Sequence, residues 1–152
     1  MRADPRRPAA TASGARLAVA RPDDVARARR MAYALAVAVG LGAADAAAVA
    51  LAATELATNL VRYARGGTLT AAPVAGPRGR GVLLESRDGG PGIPDLARAL
   101  QDGYSTGGGL GGGLPGVRRL MDEFAAETGP GGTTIVARKW AGATRRAGAP
   151  RP

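Results

Sequence analysis

Residues 102–115, DGYSTGGGLGGGLP, are the most informative stretch of this 152-residue chain. Seven of these fourteen residues are glycine, and an apolar pattern typical of a helix follows directly. Glycine has no side chain to keep an anion away from the backbone and adopts positive φ angles readily, so successive amide N–H groups can converge on anionic oxygens. The N-terminus of the following helix adds its dipole to the same charge. The pattern indicates a loop that closes over phosphate, although a flexible surface loop explains it equally well when it is taken by itself.

A second motif lies upstream, at the end of a predicted strand. Residues 82–86 form a largely apolar run, and residues 88–92, DGGPG, follow it. A carboxylate at a strand end beside glycines can point into a cleft, where it would accept a hydrogen bond from the exocyclic amine that distinguishes adenine from guanine. A simple Asp-Gly turn that joins two elements is the alternative interpretation of these residues.

A third motif lies on a predicted helix over residues 45–63. Glu55 and Asn59 are four residues apart, so they share one helical face, which Arg62 extends. An amide oxygen is a hard ligand for Mg²⁺ and a carboxylate accepts protons, so this pair can serve a metal ion and a nucleophile together. A polar stripe that faces water is the simpler interpretation of the same spacing. The occurrence of all three motifs in this order favours a nucleotide-binding site.

Composition excludes several other kinds of site. The chain contains no cysteine and no histidine, which removes disulfides, thiolate metal sites and a phosphoacceptor histidine, and leaves Mg²⁺ held by oxygen as the expected metal. No apolar run reaches membrane-spanning length without a charge or glycine, and the N-terminus lacks the pattern of a signal peptide. We therefore expect a cytoplasmic protein with no membrane partner.

The formal net charge of +9 raises the question of nucleic-acid binding. Five of these charges come from the terminal segments, residues 1–13 and 141–152, and the rest are dispersed. One Trp, one Phe and three Tyr are too few for a surface that stacks bases, so no nucleic-acid partner is expected. Both terminal segments are rich in Pro, Ala, Gly and Arg and are predicted to be disordered, which leaves one domain over residues 14–140.

Hydrophobic periodicity and turn residues predict an alternation of strands and helices. The predicted strands cover residues 16–20, 68–74, 81–86 and 133–140, and the second and third should pair as a hairpin. The predicted helices cover residues 22–39, 45–63, 94–100 and 115–124. These elements predict an α/β (α+β) two-layer sandwich, in which a mixed, mostly antiparallel sheet is covered on one face by helices.

Together, the three motifs resemble those of the GHKL (Bergerat) ATP-binding fold, which occurs in histidine-kinase catalytic domains, gyrase B and bacterial anti-sigma kinases. Glu55 and Asn59 resemble the N box of this family, residues 88–92 its first glycine box, and residues 107–113 its ATP lid and second glycine box. The resemblance extends over about residues 16–140.

Within this family, residues 103–124 are most similar to the RsbT-type switch serine/threonine kinases of the stressosome, in the anti-sigma regulatory group. The resemblance implies an ATP- and Mg²⁺-dependent kinase that phosphorylates a STAS-domain antagonist or scaffold protein. It also implies that the freed kinase activates a PP2C-type phosphatase by binding it. An anti-sigma factor, or a nucleotide-gated binding protein with little or no phosphotransfer, is the alternative.

The resemblance also implies a role for each matching residue. Glu55 would be the catalytic base, Asn59 would hold Mg²⁺ and Asp88 would recognise adenine. The other expected nucleotide-binding residues are Gly90, Gly92, Ser105, Thr106, Gly107, Gly109, Leu110, Gly111, Gly113, Leu114 and Thr133.

Two assignments stay open at this point. Thr134 is adjacent to Thr133 and is an alternative for the position near adenine. The only lysine, Lys139, belongs to the last predicted strand, so an arginine would have to contact the γ-phosphate. The candidates are Arg62, Arg65, Arg118 and Arg119.

Overall fold

The computed structural model describes residues 14–101 and 113–142, and the strands in these ranges form one sheet. The strands are β1 (Ala15–Val19), β2 (Gly67–Gly76), β3 (Gly79–Asp88), β4 (Glu123–Gly129) and β5 (Gly132–Trp140). Their order across the sheet is β1-β2-β3-β5-β4. Every pairing among these described strands is antiparallel, so the sheet has no parallel pair that would make it mixed.

Within residues 14–101 and 113–142, two long helices and two short ones accompany the sheet. They are α1 (Pro22–Val39), α2 (Ala43–Tyr63), α3 (Leu96–Ala99) and α4 (Gly113–Leu120). Leu56 and Leu60 of α2 are buried in one core with Leu69 of β2 and Leu84 of β3. This core between the helices and one face of the sheet makes the predicted two-layer arrangement.

The start of α1 is fixed by a carboxylate. Asp24 accepts hydrogen bonds from the backbone N–H groups of Ala20 and Arg21 at 2.9 and 3.0 Å. These bonds, first that of Ala20, lower the pKa of Asp24 below its ordinary value of 3.8. The cap therefore favours the folded state above that ordinary pKa, and its contribution is lost as the pH falls through the lowered value.

Among the described residues, α2 alone has the length and mean hydropathy of a membrane-crossing helix. Half of its most apolar 18-residue window is buried inside the fold. A core helix of a water-soluble domain meets the same criterion, and the burial of Leu56 and Leu60 against the sheet fits that explanation.

The predicted hairpin is confirmed, since β2 and β3 pair with Ala72 opposite Leu83. Both strands run further than predicted and leave only Pro77 and Arg78 between them at the tip. The segments predicted to be disordered, residues 1–13 and 141–152, lie outside the described residues except for Ala141 and Gly142. Residues 102–112 also lie outside, and they include all of the predicted lid over residues 107–113 except Gly113.

The C-terminal end of the predicted helix over residues 115–124 is wrong. The helix ends at Leu120, and Glu123 and Phe124 belong to the edge strand β4. The chain turns into this strand where the Asp122 N–H donates to the Arg138 carbonyl of β5 at 2.8 Å. Because β4 contains alanine at two central positions, its alternation is weak in the sequence and becomes evident only in the pairing with β5.

Lys139 of β5 joins three elements through its buried ammonium group. Its Nζ donates to the carbonyl of Leu120 at the end of α4, at 2.9 Å. The same atom lies 3.6 Å from Oδ1 of Asp122 and 3.8 Å from Oδ1 of Asp45 in the first turn of α2. One cation therefore serves two carboxylates and the end of a helix.

We expect Lys139→Met to lower the free energy of unfolding by about 3 kcal/mol, because it leaves two partly buried carboxylates close together without their cation. Chemical denaturation followed through the fluorescence of Trp140, the single tryptophan, measures this change. Arg78→Met, on the exposed tip of the hairpin, is the matched control and should change the free energy by less than about 0.5 kcal/mol. Equal effects of the two substitutions would show that the Lys139 network contributes nothing specific.

Candidate functional site

A cavity of about 260 Å³ opens between the C-terminal half of α2 and the ends of β3 and β5. This volume is just below the usual range for small-molecule sites. The residues of α2 and the position after it that line the cavity are Glu55, Thr58, Asn59, Leu60, Arg62, Tyr63 and Ala64. The sheet, the loop after β3 and the two short helices contribute Ser86, Asp88, Pro91, Gly92, Ile93, Pro94, Ala99, Gly113, Leu114, Thr133 and Ile135.

Glu55 and Asn59 lie one helical turn apart on the face of α2 that borders the cavity. Glu55 is only 4% exposed, so a polar stripe that faces water does not describe this face. Asn59 is half-buried, and its amide makes no hydrogen bond with the described residues. The amide oxygen of Asn59 is therefore available to a ligand in the cavity.

The carboxylate of Asp88, at the end of β3, is oriented by the backbone. Its Oδ1 accepts hydrogen bonds from the N–H groups of Gly90 at 2.8 Å and of Thr133 at 3.3 Å. Its second oxygen, Oδ2, accepts none from the described residues. One oxygen of this cavity-lining carboxylate is thus fixed and the other can accept a hydrogen bond from a ligand.

A pair of threonine hydroxyls holds the loop after β3 against the last hairpin. Thr128 Oγ1 accepts from the Ile93 N–H at 2.7 Å and lies 2.9 Å from Thr133 Oγ1. Gly92 in this loop has a φ of +81°, and a Cβ there would lie 2.3 Å from the Gly129 carbonyl oxygen. The close approach to the β4–β5 turn therefore requires glycine at position 92.

The structure separates the two glycines that the sequence analysis paired. Gly92 lines the cavity, whereas Gly90 lies in an adjoining groove and reaches the site only through its N–H, which orients Asp88. Of the two threonine candidates, Thr133 lines the cavity and Thr134 does not.

The candidate arginines also differ in position. Arg62 lines the cavity and the adjoining groove, and Arg65 lines the groove alone. Arg118 and Arg119 are exposed on α4 and line neither. The cavity therefore brings Arg62 together with Glu55 and Asn59.

Seven predicted residues meet at this cavity: Glu55, Asn59, Asp88, Gly92, Gly113, Leu114 and Thr133. The predicted nucleotide-binding residues Ser105, Thr106, Gly107, Gly109, Leu110 and Gly111 lie outside the described residues. Four further residues that line the cavity were not predicted as site residues: Thr58, Ser86, Ile93 and Ile135. The period-two alternation of a strand was the available signal for two of them, because Ser86 and Ile135 lie two positions from Asp88 and Thr133.

The chain belongs to the histidine kinase-like ATPase domain family, whose sequence profile matches residues 18–139. Together with the fold and the cavity, this match defines the protein as a GHKL-type domain that uses ATP. The chain is also 49% identical over 90 residues to serine/threonine-protein kinase RsbT of Bacillus subtilis (strain 168). That alignment spans 59% of this chain and 68% of RsbT.

Two solved structures share the fold. The crystal structure of the RsbU and RsbW domains of Rv1364c from Mycobacterium tuberculosis aligns with a TM-score of 0.61 and 18% identity over 85% of this chain. This chain spans only 32% of that structure. The histidine kinase domain of a blue-light-activated kinase from Erythrobacter litoralis aligns with a TM-score of 0.51 and 20% identity, over 84% of this chain and 65% of that one. The predicted GHKL fold is confirmed.

Proposed function

We propose that this protein is an ATP- and Mg²⁺-dependent serine/threonine kinase of the RsbT type that acts in partner switching. The observation that carries the proposal is that Glu55, Asn59 and Asp88, from two elements of the fold, line one cavity. The 49% identity to RsbT, a serine/threonine kinase, supports phosphotransfer as the activity.

In this proposal the base of ATP lies beside Asp88. The oxygen Oδ2, which has no partner among the described residues, accepts a hydrogen bond from the exocyclic amine of adenine. Leu60 and Ile135 supply apolar surface for the faces and edges of the ring. Because guanine carries an acceptor at the position of this amine, the carboxylate selects adenine.

The phosphates lie toward Asn59 and Arg62. The described residues contain no group of three or more side chains of the His, Cys, Asp or Glu type that could hold a metal by themselves. An amide oxygen without a cluster of carboxylates fits Mg²⁺, because this ion commonly takes one or two protein ligands and completes its shell with phosphate oxygens and water. Asn59 supplies an amide oxygen to the metal, and Arg62 supplies positive charge to the phosphates.

Glu55 accepts the proton of the attacking hydroxyl. Bound ATP supplies the γ-phosphoryl group, and Mg²⁺ neutralises part of the charge on its phosphates. The hydroxyl oxygen of a serine or threonine forms a bond to the γ-phosphorus, the bond from that phosphorus to the bridging oxygen breaks, and ADP leaves. The burial of Glu55 keeps its carboxylate within the cavity and away from bulk water.

The protein partners follow from the RsbT likeness. We propose a STAS-domain antagonist or scaffold protein as the phosphorylated substrate, a PP2C-type phosphatase as the target that the freed kinase activates, and a cytoplasmic location. An assay with γ-³²P-labelled ATP and the STAS-domain proteins of the same organism tests this proposal. We expect Mg²⁺-dependent label on a serine or threonine of one of them, and none in EDTA. ATP binding without transfer to any of them would favour a nucleotide-gated binding protein instead.

A further inference from the structure

Ser86 interrupts an apolar row on β3. Val82 and Leu84 point to the helix-covered face of the sheet and are completely buried. Ser86 and Asp88 continue the same alternation, and both line the cavity. Ser86 is only 3% exposed, so its hydroxyl lies deep in the site.

The described residues around Ser86 offer its hydroxyl no hydrogen bond. Its neighbours across the sheet are Leu69 on β2 and Ile135 on β5, both buried apolar residues. The Ser86 hydroxyl has no hydrogen-bond partner among the described residues. In this part of the chain, every side-chain nitrogen or oxygen that is fully enclosed by protein does have a partner. The hydroxyl must therefore retain contact with the cavity. An unpaired hydroxyl among apolar side chains is unfavourable, and a ligand or a bound water in the cavity would satisfy it.

We infer that Ser86 is a specificity-determining residue for the base of ATP. Its hydroxyl donates a hydrogen bond to a ring nitrogen of adenine, N1 or N7, directly or through one water. Both nitrogens are acceptors, one on each side of the exocyclic amine, and the amine itself is assigned to Asp88. Positions two residues apart on a strand are separated by about 6.6 Å. The edge of one purine together with one water molecule can span this distance. The inference deepens the proposed function and rests on it.

Calorimetric titration with ATP, 1-deaza-ATP and 7-deaza-ATP tests the assignment, because each analogue lacks one ring acceptor. We expect the wild-type chain to bind one of the two analogues about fivefold more weakly than ATP, the value of one hydrogen bond. Ser86→Ala should bind ATP about fivefold more weakly than the wild type and show no further loss with that analogue, since the two changes remove the same bond.

A pair of variants with the same shape isolates the hydroxyl. Ser86→Thr keeps it and Ser86→Val replaces it with a methyl group, so any crowding of the cavity is common to both. The threonine variant should discriminate against the same analogue as the wild type does, and the valine variant should not. The midpoint of thermal unfolding without ATP should be unchanged or higher in Ser86→Ala, because an unpaired hydroxyl has been removed.

The two ways in which this test can fail are distinguishable. Equal ratios of ATP to analogue affinity in the wild type and in Ser86→Ala would overturn the inference alone. A lower unfolding midpoint with those equal ratios would identify Ser86 as a structural residue. If the wild-type chain binds no ATP, the proposed function is contradicted and this inference with it.

Discussion

Glu55→Gln should lower the rate of phosphotransfer by about 10²- to 10⁴-fold, the contribution of a positioned general base. The affinity for ATP should remain within about twofold, because the amide has the same shape and no bond to ATP is assigned to Glu55. The amide has no acceptor basic enough to take the proton of the attacking hydroxyl. The loss therefore falls on the chemical step.

Single-turnover transfer from γ-³²P-labelled ATP to the STAS-domain substrate measures this rate, and calorimetry measures ATP affinity on the same samples. Glu127→Gln, on the exposed side of β4, is the matched control and should transfer at the wild-type rate. Wild-type transfer by Glu55→Gln would remove Glu55 from the role of base, and a parallel loss of ATP binding would make it a binding residue.

Asp88→Asn should weaken ATP binding by about a hundredfold. The amide oxygen of the substituted side chain would continue to accept from the N–H groups of Gly90 and Thr133, as Oδ1 of Asp88 does. The NH₂ group would then replace Oδ2 and face the exocyclic amine of adenine. Two hydrogen-bond donors in contact leave both groups unpaired, and the substitution also removes the charge of the carboxylate. Together these losses cost about 3 kcal/mol of binding free energy, or about two orders of magnitude in affinity.

Competition against a fluorescent ATP analogue measures this change, with GTP as a second ligand. Asp23→Asn, on the exposed first turn of α1, removes the same charge far from the cavity and should bind ATP as the wild type does. The fluorescence of Trp140 and the unfolding midpoint establish that the Asp88→Asn variant is folded. Unchanged ATP affinity in this folded variant would show that the base does not lie at Asp88.

Local patterns were sufficient for the parts of the site that lie on one element. Glu55 and Asn59 are placed together by the helical period alone, and Asp88 by its position at the end of an apolar strand. The hairpin of β2 and β3 was predictable because turn residues separate two runs with strand periodicity. These features need no knowledge of distant contacts.

The rest depends on contacts between elements far apart in sequence. The strand β4 is weakly patterned and is defined by its pairing with β5. The requirement for glycine at position 92 comes from the carbonyl of Gly129, and the choice of Arg62 among four arginines comes from its place beside the cavity. The strand alternation could have placed Ser86 beside Asp88, but the apolar surroundings of its hydroxyl became evident only from its cross-strand neighbours, Leu69 and Ile135.

The proposed function depends on ATP binding in the cavity beside α2, with Mg²⁺ at Asn59. Calorimetric titration of the wild-type chain and of Asn59→Ala with ATP, in Mg²⁺ and in EDTA, tests it most directly, with Gln101→Ala as an exposed amide control. We expect one ATP per chain, bound about tenfold or more tightly with Mg²⁺ than in EDTA by the wild type and by Gln101→Ala, and no such gain in Asn59→Ala. No binding by the wild type, or an equal effect of Mg²⁺ on all three proteins, would contradict it.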